Sequence, residues 1–161
     1  MKTDYKTLYI SRKVLNHEDI TIWFAAQGIE TRGEKMHVTL IYSKGPVDVE
    51  NYPPNDFKIT IPKDNFSSMS LFGGGDILVQ QFHDDVLLSR HEEIMLGTEA
   101  IYDHLEYIPH ITICYDHISP KLDEIKPYPY PIELGGEIYA EFDYKVVKET
   151  LHEPNNVLVS I

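Results

Sequence analysis

The chain has 161 residues, 42% of them hydrophobic and 25% charged, with a formal net charge of −12 and one cysteine. This size and composition predict a single globular domain over residues 1–161 and exclude an extensively disordered chain. The negative charge argues against the continuous basic surface that long DNA or duplex RNA requires, and no apolar run reaches the ~18 residues of a membrane-spanning helix.

The first part of the chain predicts a strand, a short helix and a second strand. Residues 5–12 alternate between apolar and polar side chains, as a half-buried strand does. Asn16 is placed to cap the N-terminus of a helix that Gly28 ends. Residues 37–42 then form the next strand.

A hairpin and the longest helix follow. A short strand at residues 57–61 stops at Pro62. Two apolar segments, 69–72 and 77–82, flank three glycines and an aspartate, which indicates a turn. A phosphate-binding P-loop would need a Lys-Ser/Thr pair after these glycines. An apolar stripe at helical spacing then predicts a helix over residues 84–107.

The last part of the chain predicts a strand, a loop and a second hairpin. Residues 110–115 form the strand, and four prolines within 120–131 predict an irregular surface loop. We expect strands 132–134 and 137–142 to meet at a pair of glycines, and a short final element at 146–153. In the second strand of this hairpin we expect the side chains of Ile138, Ala140 and Phe142 to pack. We expect those of Glu137, Tyr139 and Glu141 to face outward.

One short motif occurs twice. His37-Val38-Thr39-Leu40-Ile41-Tyr42 returns as His110-Ile111-Thr112-Ile113-Cys114-Tyr115, with the His, Thr and Tyr identical. Because residues two apart in a strand share a face, each copy sets an imidazole beside a hydroxyl while the intervening apolar side chains point away. The same parity puts Tyr42 and Tyr115 opposite the histidines. The alternative is two buried strands whose His and Thr side chains merely face solvent.

Two imidazoles that face one cleft supply the two proton transfers of phosphodiester cleavage. One imidazole takes a proton from the nucleophile, and the other gives a proton to the leaving group. His37 and His110 are therefore the candidate acid and base, in an order that the sequence leaves open. Thr39 and Thr112 are candidate donors to the non-bridging phosphoryl oxygens. This scheme needs no metal ion, and we expect no cofactor.

The paired H-x-T-x strands resemble the signature of the two-histidine (2H) phosphoesterase superfamily, and their separation of 73 residues is typical of it. The resemblance covers most of residues 5–142 and is strongest, at 8–13 and 72–82, to anti-CBASS phosphodiesterases of tailed phages. It implies an α+β, bilobal fold in which two pseudo-twofold lobes with antiparallel sheets surround a central cleft. It also implies metal-independent hydrolysis of the 3′,5′ linkages in cyclic di- and trinucleotide signals, as a phage counter-defence in the host cytoplasm.

The resemblance further assigns Tyr5 and one late glutamate, Glu137 or Glu141, to substrate contact. From the residues alone, Tyr9 shares the polar face of the first strand with Tyr5, which suits both rings to base stacking. The expected partner is a small cyclic oligonucleotide. Residues 1–45 carry seven Lys/Arg and five Asp/Glu, whereas the rest of the chain has a net charge of −14 and would repel a long nucleic acid.

Other functions and sites stay open at this point. An RNA 2′,3′-cyclic or 2′,5′ phosphoesterase would use the same residues, and a non-catalytic protein that sequesters cyclic nucleotides would use the same cleft. Segments 83–85 and 91–93 contain metal-ligand side chains, but neither has the spacing of a known zinc motif. Cys114 lies in an apolar strand without a basic neighbour in sequence, which favours packing in a reducing cytoplasm over a nucleophilic role. The sequence indicates no oligomeric state.

Overall fold

The computed structural model describes residues 2–101 and 106–142. In chain order its helices and strands are β1 (Asp4–Tyr5), β2 (Leu8–Val14), α1 (His17–Ala25), β3 (His37–Ser43), β4 (Val47–Asp48), β5 (Ile59–Ile61), β6 (Phe66–Phe72), β7 (Ile77–Phe82), α2 (Asp85–Gly97), β8 (His110–Cys114) and β9 (Ile132–Ala140). Single turns of 3-10 helix lie at Gly33–Lys35, Lys63–Asn65 and Leu122–Glu124. The element predicted at 146–153 lies outside the described residues.

Two antiparallel sheets carry the two motif strands. β3, β2, β9 and β5 form one sheet in that order, β6, β7 and β8 form the other, and β1 pairs with β4. The motif strands β3 and β8 are edge strands of their sheets and contact each other. The expected α+β class with antiparallel sheets is confirmed, and the predicted hairpin around the three glycines is found as β6 and β7.

The main hydrophobic core combines side chains from both sheets and both helices. α1 contributes Ile20 and Phe24, which are buried, to this core. From β3, Val38 points into the same core and is 1% exposed. Because side chains alternate along a strand, His37 and Thr39 lie on the other face of β3.

Asn16 precedes α1, as predicted, but its side chain does not cap the helix. Its amide instead donates to the Pro131 carbonyl oxygen at 2.9 Å, and its Oδ1 accepts from the Glu133 N–H at 3.0 Å. These bonds tie the start of α1 to the start of β9. α1 ends at Ala25, three residues before Gly28, and the turn that follows it uses this glycine as predicted, since its φ of +79° is a left-handed conformation that glycine adopts without strain.

Two predicted elements have different bounds in the structure. The strand predicted over 5–12 is divided into β1 and β2. The helix predicted over 84–107 begins as expected, with Asp84 accepting a capping bond from the Leu87 N–H at 2.9 Å, but it ends at Gly97. Thr98 is extended there, and its hydroxyl donates to the carbonyl of Ile94, the residue four positions earlier. Residues 102–105 of the predicted helix lie outside the described part of the chain.

The hairpin predicted at 132–142 is wrong, because β9 continues through both glycines. Arg12 pairs with Glu137 and Val14 with Leu134, so two glycines of β9 face one residue of β2. This bulge shifts the alternation of β9 by one position. Glu137 is therefore 7% exposed and Ile138 42% exposed, the reverse of the expected packing. Position 136 also needs a glycine, because a Cβ there would lie 2.9 Å from the Asp56 Cα.

Other side chains of the predicted strand 137–142 follow the same pattern. Ala140, expected to pack, is exposed, while Tyr139, expected to face outward, is half-buried and donates its hydroxyl to the Tyr52 carbonyl oxygen at 2.8 Å. Phe142 packs as expected, and Glu141 is exposed as expected.

Candidate active site

Both copies of the motif contain a β-bulge directly after the threonine. The extra residue is Leu40 in β3 and Ile113 in β8. Each has no paired residue on the neighbouring strand, although the residues on both sides of it are paired. Each bulge shifts the alternation, so Tyr42 and Tyr115 lie on the same side as the histidines. The expected position of these tyrosines opposite the histidines is therefore wrong in both copies.

The two motif histidines lie at the edge of a small apolar cluster that is separate from the main core. We call it the aromatic cluster, and its members come from both sheets: Tyr9, Tyr42, Phe72, Ile77, Val79, Tyr115 and Phe142. The His37 ring meets Tyr9 edge-on with 6.0 Å between centroids, and the His110 ring meets Phe72 with 4.8 Å between centroids. The aromatic cluster thus links the two imidazoles across the junction of the sheets.

The two imidazoles are oriented by the same kind of bond. Nδ1 of His37 lies 2.8 Å from the Lys35 carbonyl oxygen, and Nδ1 of His110 lies 2.8 Å from the Ile108 carbonyl oxygen. A carbonyl oxygen only accepts, so each Nδ1 carries a proton and each Nε2 is the atom suited to proton transfer. The neighbouring Thr39 and Thr112 are each 4% exposed.

Two hydroxyl groups, those of Tyr9 and Thr39, form a hydrogen-bonded chain that begins at His37 Nε2. The Tyr9 hydroxyl lies 2.7 Å from His37 Nε2 and 2.6 Å from Thr39 Oγ1. Burial raises the pKa of Tyr9 well above its ordinary value, so the phenol keeps its proton. When His37 is neutral, Tyr9 donates to Nε2; when His37 is protonated, Nε2 donates to Tyr9 and Tyr9 donates to Thr39. The hydroxyl chain therefore accommodates both protonation states of this imidazole.

The environment of His37 favours its neutral form. Burial is the main cause that lowers its pKa below the ordinary histidine value, and the positive charge of Arg32 lowers it further. The bond to the Lys35 carbonyl opposes this shift without cancelling it. His37 is thus suited to accept a proton near neutral pH.

The corresponding position in the second sheet carries no hydroxyl. In the first sheet Thr39 pairs with Ser11, and Tyr9 lies two residues before Ser11. In the second sheet Thr112 pairs with Val79, and Ile77 lies two residues before Val79, so Ile77 is the equivalent of Tyr9. Ile77 is apolar and 4% exposed. The two histidines therefore share their backbone anchor and differ in this cross-strand neighbour.

A cavity of about 660 Å³ opens beside His37. Its lining includes the ring of Tyr9, the cationic side chains Lys13 and Lys35, and the exposed Ile138. Sequence reasoning missed Ile138, because the hairpin that it assumed would have buried this side chain. It also gave Tyr9 only a stacking role, since the contact of its hydroxyl with His37 depends on the pairing of β2 with β3.

The other expected substrate contacts lie apart from His37. The Glu137 carboxylate is buried and accepts from Arg90 Nε at 3.0 Å and Nη2 at 3.1 Å, with Arg12 Nη2 at 3.9 Å. Tyr5 and Glu141 line a separate cavity of about 540 Å³. There Tyr5 meets Tyr139 edge-on, and Glu141 accepts from the Lys2 ammonium and from the backbone N–H of Lys6.

The two segments with metal-ligand side chains have other contacts. His83 is exposed and bonds Asp85, whereas His91 stacks on Tyr107 with 4.2 Å between centroids and bonds the Leu40 carbonyl oxygen. Among residues 2–101 and 106–142, no three His, Cys, Asp or Glu side chains are grouped so as to hold a metal ion. Burial raises the pKa of the Cys114 thiol to about 11, which disfavours a nucleophilic thiolate. No helix in the described ranges is long and apolar enough to cross a membrane.

Comparison with known proteins gives a consistent set of relatives. A family model described as "Anti-CBASS protein Acb1" matches residues 6–149. Proteins with that name from Caulobacter sp. (strain RHG1) and Sphingomonas paeninsulae are 31% and 30% identical over 144 residues, which cover 86% and 84% of this chain. The chain spans only 23% of the length of each of these two relatives. The protein of the same name from Vibrio phage KVP40 is 27% identical over 107 residues, which are 63% of this chain and 68% of the phage protein.

Proposed function

The chain belongs to the Acb1 anti-CBASS family, and we propose that it is a metal-independent phosphodiesterase that hydrolyses 3′,5′ linkages of cyclic di- or trinucleotides. An anti-CBASS role implies a cyclic oligonucleotide ligand, and the tools for cleaving one are the motif side chains His37, Thr39, His110 and Thr112. In this proposal the enzyme is of the 2H phosphoesterase type and removes the signals of a bacterial immune system on behalf of a phage.

The observation that supports this activity best is the matched pair of imidazoles. His37 and His110 each bond through Nδ1 to the carbonyl oxygen two residues earlier, each present Nε2, and each stand two residues before a buried threonine. Both contact the same aromatic cluster, whose members come from two sheets. A protein that only sequestered a nucleotide would not need two imidazoles held in this equivalent way.

We assign the role of general base to His37. Its lowered pKa keeps Nε2 unprotonated, and the Tyr9 proton can turn toward Thr39 to release the Nε2 lone pair for the nucleophile. The attacking oxygen, from water or from a ribose 2′-hydroxyl, gives its proton to His37 and forms a bond to phosphorus. When water attacks, the bond from phosphorus to the 3′ oxygen breaks; when the ribose 2′-hydroxyl attacks, the bond to the 5′ oxygen breaks and a 2′,3′-cyclic phosphate is left. In both cases His110 donates a proton to the leaving oxygen. Both threonine hydroxyls donate to the non-bridging oxygens, where charge develops.

The test is turnover of a 3′,5′-linked cyclic dinucleotide, followed by mass spectrometry. His37→Ala and His110→Ala should each lower kcat at least ~100-fold, since each change removes one proton-transfer partner. The double variant should be little worse than either single variant, because the two groups act in one step. His83→Ala is the matched control, since this exposed imidazole contacts Asp85 and lies outside the site.

The same experiment separates the alternatives. Recovery of intact cyclic dinucleotide after heat denaturation of the protein would indicate sequestration instead of cleavage. A higher kcat/KM for an RNA ending in a 2′,3′-cyclic phosphate, at physiological salt, would favour the RNA-processing activity. Near wild-type rates for both single histidine variants would refute the two-histidine mechanism.

A further inference from the structure

Arg32 lies where the first copy of the motif meets the second. It precedes His37 by five residues, and its backbone N–H donates to the carbonyl oxygen of Ile113 at 3.0 Å. Ile113 is the bulge residue of β8, directly after Thr112. The segment that leads into β3 is thus fastened to the motif strand of the other sheet.

The guanidinium of Arg32 lies over an aromatic ring of the second copy. Its Cζ lies 4.9 Å from the centroid of Tyr115, the ring that the bulge of β8 brings to the histidine side. After burial, the positive charge of Arg32 is a further cause that lowers the pKa of His37 in the first copy. Arg32 therefore contacts one half of the candidate site and acts electrostatically on the other.

The pairing of Arg32 differs from that of the other two arginines of the chain. Arg90 bonds the Glu137 carboxylate, and Arg12 donates to two backbone carbonyl oxygens and lies near the same carboxylate. Arg32 Nη1 is buried and, like Arg12 Nε, has no hydrogen-bond partner within residues 2–101 and 106–142. A cavity of about 520 Å³, lined by residues 28–32 and 114–119, opens beside this side chain.

We propose that Arg32 binds the phosphodiester group that lies between the two motif histidines. This inference rests on the proposed function, since it names a further substrate-binding residue of the same site. A guanidinium presents a planar fork of N–H donors that matches two phosphoryl oxygens, and the cation–π contact with Tyr115 positions this guanidinium. Lysine would keep the charge but lose the fork.

The first test uses inorganic phosphate and NMR signals of the histidine rings, so that it does not depend on turnover. In wild-type protein, phosphate should shift the His37 signal saturably, and Arg32→Ala should weaken this binding about tenfold or more. Arg32→Ala should also raise the pKa of His37, because a nearby positive charge is removed. Equal phosphate binding in both proteins, or no phosphate binding to wild type, would overturn the proposal.

The second test measures the cyclic dinucleotide itself. Arg32→Ala should lower kcat/KM about 100-fold, and Arg32→Lys should lower it at least about tenfold. Free guanidinium should partly restore the kcat/KM of the alanine variant. Lys58→Ala removes one exposed positive charge beside β5, at the far edge of the sheet from β3, and should change the rate less than twofold. Thermal unfolding checks that each variant is folded.

The two tests distinguish the two proposals. If Arg32→Ala weakens phosphate binding but wild type cleaves no cyclic dinucleotide, the phosphate site stands and the proposed phosphodiesterase activity fails. If wild type cleaves the dinucleotide and both Arg32 variants retain its rate, the activity stands and the assignment of Arg32 is refuted.

Discussion

Replacing Glu137 tests whether this carboxylate holds the fold together or contacts substrate. The side chain is buried between two arginines, bonds Arg90 twice, and accepts the backbone N–H of Asn55 at 2.9 Å. Glu137→Ala leaves the Arg90 and Arg12 guanidiniums without their shared carboxylate. Removing one partner of a buried ion pair costs about 3–5 kcal/mol. That is a large fraction of the ~5–15 kcal/mol by which a typical domain is stable.

The assay is urea unfolding followed by circular dichroism, with thermal unfolding in parallel. For a domain of this size, a loss of 3–5 kcal/mol corresponds to a midpoint roughly 6–20 °C lower. Glu137→Gln should destabilise less than Glu137→Ala, because the amide oxygen still accepts from one donor, while the amide NH2 faces another donor and the charge is lost. Glu141→Ala is the matched control, since this exposed carboxylate should leave the unfolding midpoint almost unchanged.

The opposite pattern would refute this reasoning. If Glu137→Ala has the same urea midpoint as wild type but a higher KM for a cyclic dinucleotide, the carboxylate contacts substrate. In that case its bonds to the two arginines do not contribute to the stability of the fold. If only Glu141→Ala raises KM, Glu141 is the substrate-contacting glutamate that the family resemblance implies, and the substrate reaches the cavity near Tyr5.

Three further changes follow from the same contacts. Tyr9→Phe should lower kcat about tenfold while the protein stays folded, because it removes the hydroxyl that bonds His37 Nε2 and Thr39; steady-state kinetics and a thermal melt check this, and an unchanged kcat would contradict it. The rate should fall as the pH drops through the lowered pKa of His37, so the acid limb of a kcat/KM profile should lie below the ordinary histidine pKa; a limb above that value would exclude His37 as the base. Gly136→Ala should destabilise the protein by about 1–3 kcal/mol in urea, since its Cβ would meet the Asp56 backbone at 2.9 Å, whereas Gly74→Ala, with open space around its Cβ, should be milder.

Local patterns in the sequence determined several features correctly. The turn at the three glycines, the turn after α1 at Gly28 and the capping of α2 by Asp84 depend on residues close together in the chain, so composition and spacing are sufficient to predict them. The repeated motif belongs to the same class of signal. Its period of two places each His beside its Thr wherever the strand lies in the fold.

Only the tertiary structure decided features that depend on a partner strand. A bulge is one extra residue relative to a neighbour, so the bulges at Leu40 and Ile113, and with them the side on which Tyr42 and Tyr115 lie, are defined only once β3 and β8 are paired. The two glycines of β9 read as a turn until β2 lies beside them, and the buried Glu137 follows from that pairing.

The long-range contacts of Arg32 and Tyr9 were undetermined for the same reason. A side chain that contacts Tyr115 from 83 positions earlier in the chain leaves no periodic signal, because nothing local to Arg32 specifies which strand it meets. The sequence alone thus indicated the candidate catalytic residues of the motif. The packing of β3 against β8 determined which further residues accompany them, since that packing alone brings distant segments within bonding distance.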